Sequence, residues 1–188
     1  MSAPRVIAGR FGGRSLKVPR GLVTRPTGAR VREALFNVLA DVTDARVLDL
    51  YAGTGALAIE ALSRGARHAV LVEHDRAALA AIDENLAALA TGAQAVVVRQ
   101  RLPRALAAAL VHAPFDLVLC DPPWAELDAA RAVLAELARA PALAPGARVL
   151  LEHSAKDLAP NVSGLVASER RRWGDTAVSL FRAPPATI

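Results

Sequence analysis

Apolar positions recur along this chain with two different periods, and their alternation is the strongest structural signal in it. Short apolar runs at Ala45 to Leu50, Ala69 to Glu73, Ala95 to Val98, Phe115 to Leu119 and Ala147 to Glu152 suit strands buried on both faces of a parallel sheet. Between them, Ala56 to Arg64, the stretch from Asp75 to Ala90, Pro103 to Val111 and Glu126 to Arg139 carry helical spacing. Strand and helix alternate at βαβ distance, which predicts an α/β fold with a doubly wound, mostly parallel sheet covered on both faces. The two ends break this rhythm. Leu165 to Trp173 and Thr176 to Phe181 flank Gly174 and Asp175, a tight-turn pair, so the last two strands are expected to form an antiparallel hairpin.

At the other end, Arg5 to Ile7 and Ser15 to Val18 flank F-G-G-R, which predicts a small β-hairpin, with Gly9, Gly12 and Gly13 allowing close backbone approach to a partner. A loop over Pro19 to Gly28 follows, with Thr27 as a candidate N-cap. Val31, Leu35, Val38, Leu39 and Val42 then mark an amphipathic helix whose other face holds Arg30, Glu33, Asn37 and Asp41, with Phe36 on its flank. A single domain over 1–188 is expected: an N-terminal hairpin and helix extension (1–43) on a core (44–188).

Charge changes the picture more than bulk composition does. The net charge is +5, but residues 1–32 hold eight basic residues and no acid, and the remainder, with 15 basic and 18 acidic residues, carries −3. A basic arm on a mildly acidic body is an electrostatic footprint for phosphates; a soluble basic face without a partner is the plainer explanation. Hydrophobic residues make up 53% of the chain and aromatic ones 4%, which points to a core of small side chains and away from disorder. No apolar run reaches membrane-spanning length and the start M-S-A-P-R-V lacks a signal-peptide core, so a cytoplasmic protein without membrane association is expected. One cysteine, Cys120, excludes an internal disulfide, argues against a cysteine-based metal site and reads as packing.

Two stretches carry candidate chemistry. In F-D-L-V-L-C-D-P-P-W, Pro122 and Pro123 stop a buried strand abruptly and stiffen the turn, so that Asp121 is held at the strand end beside the aromatic face of Trp124. A carboxylate, carbonyl oxygens without competing donors and an aromatic face suit a planar group bearing an amino nitrogen; a proline-stopped loop with a solvated acid is the alternative. In L-D-L-Y-A-G-T-G-A-L, Gly53, Thr54 and Gly55 form a turn into a helix N-terminus, which favours an anionic group. In a doubly wound sheet Asp49, Gly53, Gly55, Glu73 and Asp121 all fall at carboxyl ends of strands, where ligands bind. G-T-G-A-L-A also satisfies a dinucleotide fingerprint, with Glu73 near the distance of a ribose-binding acid, so a nicotinamide oxidoreductase competes. Against it, Asp49 would face a cation and repel a pyrophosphate, unless it only caps loop amides.

These residues resemble a known family. D-L-Y-A-G-T-G is similar to motif I of class I S-adenosylmethionine-dependent methyltransferases, and D-P-P-W to the motif of those that methylate exocyclic amino nitrogens. With R-V-I-A-G-R-F-G-G-R at Arg5 to Arg14 and R-P-T-G-A-R-V-R-E-A-L-F-N at Arg25 to Asn37, the chain resembles the RsmD family, bacterial small-subunit (16S) ribosomal RNA guanine-N2 methyltransferases. The resemblance implies S-adenosylmethionine as cofactor, with Gly53 and Gly55 along its methionine part, Asp49 near its amino group and Glu73 on its ribose. Ala52, Thr54, His74 and Asp121 complete the implied cofactor set. Asp121 and the Pro122 carbonyl would grip the target amine, Pro123 would fix the turn and Trp124 would stack on the base. Arg5, Arg10, Arg14, Lys17, Arg30 and Arg32 would meet the phosphates of 16S rRNA in the small ribosomal subunit, with no obligatory protein partner implied. After the third strand the chain reads R-Q-R-L-P and lacks the acid that often meets adenine, so no residue is assigned to that ring. Adenine N6 remains an alternative target amine, and a non-catalytic RNA-binding module keeping the fold remains a further one.

Overall fold

The computed structural model describes residues 4–19 and 28–185. Seven strands form one sheet in the order β3-β2-β1-β4-β5-β7-β6: β1 (Arg46–Leu50), β2 (His68–Val72), β3 (Ala95–Val98), β4 (Phe115–Cys120), β5 (Leu143–Ser154), β6 (Val166–Trp173) and β7 (Thr176–Arg182). The first five run parallel; β7 is antiparallel to β5, and β6 to β7. Among the described residues, five α-helices connect or flank them: α1 (Gly28–Leu39), α2 (Ala56–Ser63), α3 (Arg76–Ala88), α4 (Leu106–Leu110) and α5 (Leu127–Arg139).

Alternation along each strand sorts the core into two layers. Val47, Leu71, Leu117, Leu119 and Leu150 pack with Leu35 and Phe36 of α1, Leu62 of α2 and Ile82 of α3. Leu48, Leu50, Val70, Val118, Cys120, Val149 and Leu151 pack on the other side with Leu106 of α4 and Leu134 and Leu137 of α5. This is the doubly wound arrangement that the apolar runs predict. Phe36, expected on the helix flank, is 1% exposed and belongs to the first layer.

Four boundaries differ from the sequence expectation. α1 ends at Leu39 and Ala40 turns to a φ of 55°, so Val42 is buried from the following loop. α4 begins at Leu106, because Pro103 and its neighbours form turns. β5 runs through Pro145 and Gly146 to twice the expected length; the β4 register shifts between Phe115 and Leu117 opposite them, and that irregularity accommodates the proline. The N-terminal hairpin contracts to one bridge between Arg5 and Ser15, supported by Val6 N donating to Arg14 O (2.9 Å) and Gly13 N to Val6 O (2.9 Å). Thr27, Arg20 and Arg25 lie outside the described residues. The terminal hairpin closes through Gly174, whose φ of 59° at the first turn position suits a two-residue loop.

The N-terminal arm is fastened to α2 by a buried acid. Glu60 is fully buried on α2, and its carboxylate accepts from Ile7 N (2.7 Å), Ala8 N (3.1 Å) and Arg64 Nε (2.7 Å). Ser63 adds bonds to Ala8 O and from Phe11 N (2.9 Å). The close approach expected of Gly9 is therefore intramolecular: at its φ of 80°, a Cβ would sit 1.8 Å from Ser63 O.

Candidate active site

The site lies at the carboxyl edge of the sheet, where β1 stands between β2 and β4 and the connections diverge to opposite faces. Chain reversal after β1 uses left-handed backbone at Tyr51 (φ 61°), Gly53 (φ 56°) and Gly55 (φ 77°). Nothing lies within 4 Å of a Cβ built on Gly53, so its backbone faces open space, whereas one on Gly55 would come within 3.0 Å of Leu71 Cδ2. The first glycine thus leaves room for a ligand, and the second lets α2 pack on the sheet.

Asp49 sits beneath this turn, 1% exposed. Its Oδ2 accepts from Ala58 N (3.0 Å) in the first turn of α2, which is the amide-capping role. Its Oδ1 is buried and accepts nothing. Burial, opposed by the Ala58 bond and helped by the negative charges of Asp121 and Glu73, pushes the carboxyl up to about 8. Three carboxylates from the ends of β1, β2 and β4 are therefore close enough to feel one another. Buried beside acids and without a donor, Asp49 Oδ1 fits an ammonium group. A dinucleotide pyrophosphate fits badly, because the α2 N-terminus already holds an acid and its neighbours are acidic.

Glu73, 8% exposed, ties the glycine turn to the β2–α3 connection. Oε2 accepts from Gly53 N (2.8 Å), and Oε1 accepts from His74 N (2.6 Å) and Asp75 N (2.9 Å), with His74 Nδ1 at 3.5 Å. The second lone pair on Oε2 suits a hydroxyl donor such as a ribose. Ala52 N donates to Val72 O (3.0 Å), and Thr54 O accepts from Asn85 Nδ2 (3.0 Å).

Beyond Glu73, a hollow lined by Tyr51, His74, Gln100, Arg101, Leu102 and Glu126 opens into a cleft of about 520 Å³ along α5. Arg101 Nη2 bridges to Glu126 Oε1 (3.3 Å) across it. This places R-Q-R-L-P, to which no side-chain role was assigned, next to the ribose-binding candidate. At the end of β4, Asp121 is half-buried, Pro122 buried, and Pro123 and Trp124 exposed, Trp124 by 37%. Cys120 is wholly buried and its thiol is pushed well up by burial, as befits packing.

The basic arm divides. Arg5, Arg10, Arg14, Lys17 and Arg30 are exposed; Arg10 stacks over the Phe11 ring (4.4 Å) and donates to Gln94. Arg32 does not join them: it is 7% exposed, donates from Nη2 to Arg5 O (2.6 Å) and lies 4.0 Å from Glu60. Its helical position turns it toward the arm's own backbone. Sequence reasoning missed Glu60, whose one signal is a lone acid in an apolar helical stretch, and Asn85, which follows Asp83 and Glu84 and carries no such signal. It also missed Glu152, buried on β5.

Comparison with known proteins agrees with this geometry. A family model described as "Conserved hypothetical protein 95" matches residues 4–182. Ribosomal RNA small subunit methyltransferase D of Escherichia coli is 47% identical over 121 residues, 64% of this chain and 60% of that protein. A Bacillus subtilis protein named "Putative rRNA methyltransferase YlbH" is 37% identical over 95% of this chain and 98% of its own. The solved structure of yhhF from Escherichia coli superposes with a TM-score of 0.82 at 37% identity, covering 97% of this chain and 98% of that one. With nearly its whole length matched, the chain belongs to the RsmD family of methyltransferases, on a class I Rossmann-like fold.

Proposed function

We propose that this protein transfers a methyl group from S-adenosylmethionine to the exocyclic N2 of a guanine in 16S rRNA, within the assembled small subunit. The observation that carries the reading is Asp49, whose buried Oδ1 has no donor and whose carboxyl is raised by the nearby charges of Asp121, before the paired prolines, and of Glu73. S-adenosylmethionine, when bound, supplies an electrophilic methyl on a sulfonium. Asp49 Oδ1 would take its ammonium group, the open backbone at Gly53 would border its methionine part, and Glu73 would take its ribose hydroxyls. The name of the Escherichia coli relative supports an rRNA target in the small subunit, and the D-P-P-W resemblance supports an amino nitrogen.

Guanine N2 is a weak nucleophile because its lone pair is delocalised into the ring. Asp121 and the Pro122 carbonyl accept its two N–H bonds, aim the remaining lone pair and support the positive charge that grows on nitrogen. After transfer the cationic nitrogen is acidic, and a proton passes to Asp121 or to water. Trp124 stacks on the extruded base and offsets part of the unstacking cost, by about 1–3 kcal/mol. Arg5, Arg10, Arg14, Lys17 and Arg30 hold phosphates and lend affinity without reading sequence.

Small subunits incubated with the protein and methyl-labelled cofactor, then digested to nucleosides for mass spectrometry, test this. N2-methylguanosine at one mapped position is expected. N6-methyladenosine, or no transfer to subunits, precursor particles or naked rRNA, would overturn it.

A further inference from the structure

A second carboxylate stands beside Asp121, and its position follows from the sheet. Parallel pairing of β4 with β5 aligns Leu119 with Leu150 and Cys120 with Leu151, so the next residues on the two neighbouring chains are Asp121 and Glu152. Leu119 and Leu150 belong to the layer under α1 and α2, Cys120 and Leu151 to the opposite layer. Strand alternation, continued one residue past the last pair, would turn Asp121 and Glu152 to the α1 and α2 side, one strand spacing of about 4.8 Å apart. Asp49, paired with Leu119 and flanked by Leu48 and Leu50 of the opposite layer, faces the same way. Glu152 is 9% exposed, and its antiparallel neighbour is the apolar Val178.

We infer that Glu152 is the residue that selects guanine, its carboxylate accepting N1–H of the target base while Asp121 and the Pro122 carbonyl hold the N2 amine. The inference rests on the guanine-N2 reading above. Guanine presents N1–H and the N2 amine side by side on one edge, donors that two adjacent carboxylates match. Adenine and 2-aminopurine present a lone pair at N1, which a carboxylate repels. D-P-P-W alone grips any planar amine, so discrimination has to come from a neighbouring group, and Glu152 is the acid that strand register brings alongside. A site that hydrogen-bonds a donor rejects an analogue lacking it far more strongly than an apolar pocket rejects a size mismatch.

The test uses small subunits reconstituted with rRNA that carries guanine or 2-aminopurine at the methylated position, with the full-length protein. 2-Aminopurine keeps the reacting amine and lacks N1–H. Wild type is expected to favour guanine by about 100-fold or more in kcat/KM. In Glu152→Gln, whose amide can donate to N1 of the analogue, that preference should fall below about 10-fold, with the melting temperature and S-adenosylhomocysteine affinity held. Glu152→Asp should react more slowly yet keep the wild-type preference. Equal wild-type rates on the two bases, or an undiminished preference in Glu152→Gln, would overturn the assignment of Glu152 while N2-methylguanosine production upheld the function. Absence of N2-methylguanosine from wild type would overturn both.

Discussion

Asp49 makes cofactor binding a proton-coupled event. An aspartate ordinarily titrates near 3.8, and burial with two acidic neighbours raises this one to about 8. Each pH unit is worth about 1.4 kcal/mol, so ionising Asp49 in cofactor-free protein costs about 1 kcal/mol at about pH 7, and the full span corresponds to about 6 kcal/mol. An ammonium placed on Oδ1 reverses the balance, and Asp49 then binds as a carboxylate. Below pH 8 binding must expel the proton, and log affinity for S-adenosylhomocysteine should rise with pH at a slope near one. Above pH 8 the ligand amine loses its own proton and affinity should level or fall. Titration calorimetry at pH 6 in buffers of different ionisation enthalpy should read close to one proton released per ligand; in Asp49→Asn that release and slope should vanish, with weaker binding. Stability carries the same signature. A group whose folded value is raised stabilises fully below its unfolded value and loses that contribution as pH rises through about 8, so cofactor-free Asp49→Asn should outlast wild type at pH 9 but not at pH 5. A pH-independent affinity with no proton released would refute this account of Asp49.

Other substitutions probe the remaining parts. Asp121→Ala should lower methyl transfer by at least about 10²–10³-fold while S-adenosylhomocysteine still binds; because the Asp121 charge helps to raise Asp49, proton release in this variant should shift to lower pH, and full turnover would remove Asp121 from the chemistry. Asn85, 2% exposed, accepts from Lys17 N (2.7 Å) and donates to Lys17 O (3.2 Å) and Thr54 O (3.0 Å), joining the basic arm to the glycine turn. Asn85→Ala should destabilise by about 1–3 kcal/mol through stranded buried groups, read as a lower melting temperature, and weaken cofactor binding; an unchanged protein would show that the link is idle. Replacing exposed Arg14 and Arg30 with alanine should make the salt dependence of subunit binding shallower by about one to two in the log–log slope. The same slope in the double variant would take both residues out of the RNA contact.

The parallel sheet was legible because each strand is apolar on both faces and each helix carries its own period; Gly174 and Asp175 announced the reversal at the end. β5 was read short because Pro145 and Gly146 look like a terminus in one dimension, and the register shift that tolerates them belongs to β4. Asp49, Glu73 and Asp121 could be named from spacing alone, since strand ends set where they fall. What Asp49 does with each oxygen could not, because the Ala58 amide reaches it only when α2 folds back. Arg32 shows the limit of counting charge: a basic residue in a basic stretch turned inward toward Glu60, a partner 28 positions away on another element. Glu152 stayed hidden for a related reason, as nothing short of strand order puts it next to Asp121.

A crystal structure of the protein with S-adenosylhomocysteine addresses the central claim, that the turn after β1 and the D-P-P turn border one cavity holding donor and acceptor face to face. The account predicts the ligand's amino nitrogen within about 3.2 Å of Asp49 Oδ1, its ribose hydroxyls on Glu73 and its sulfur directed at the Asp121 side. A ligand bound with Oδ1 still lacking a donor, or with its sulfur turned away from Asp121, would contradict it.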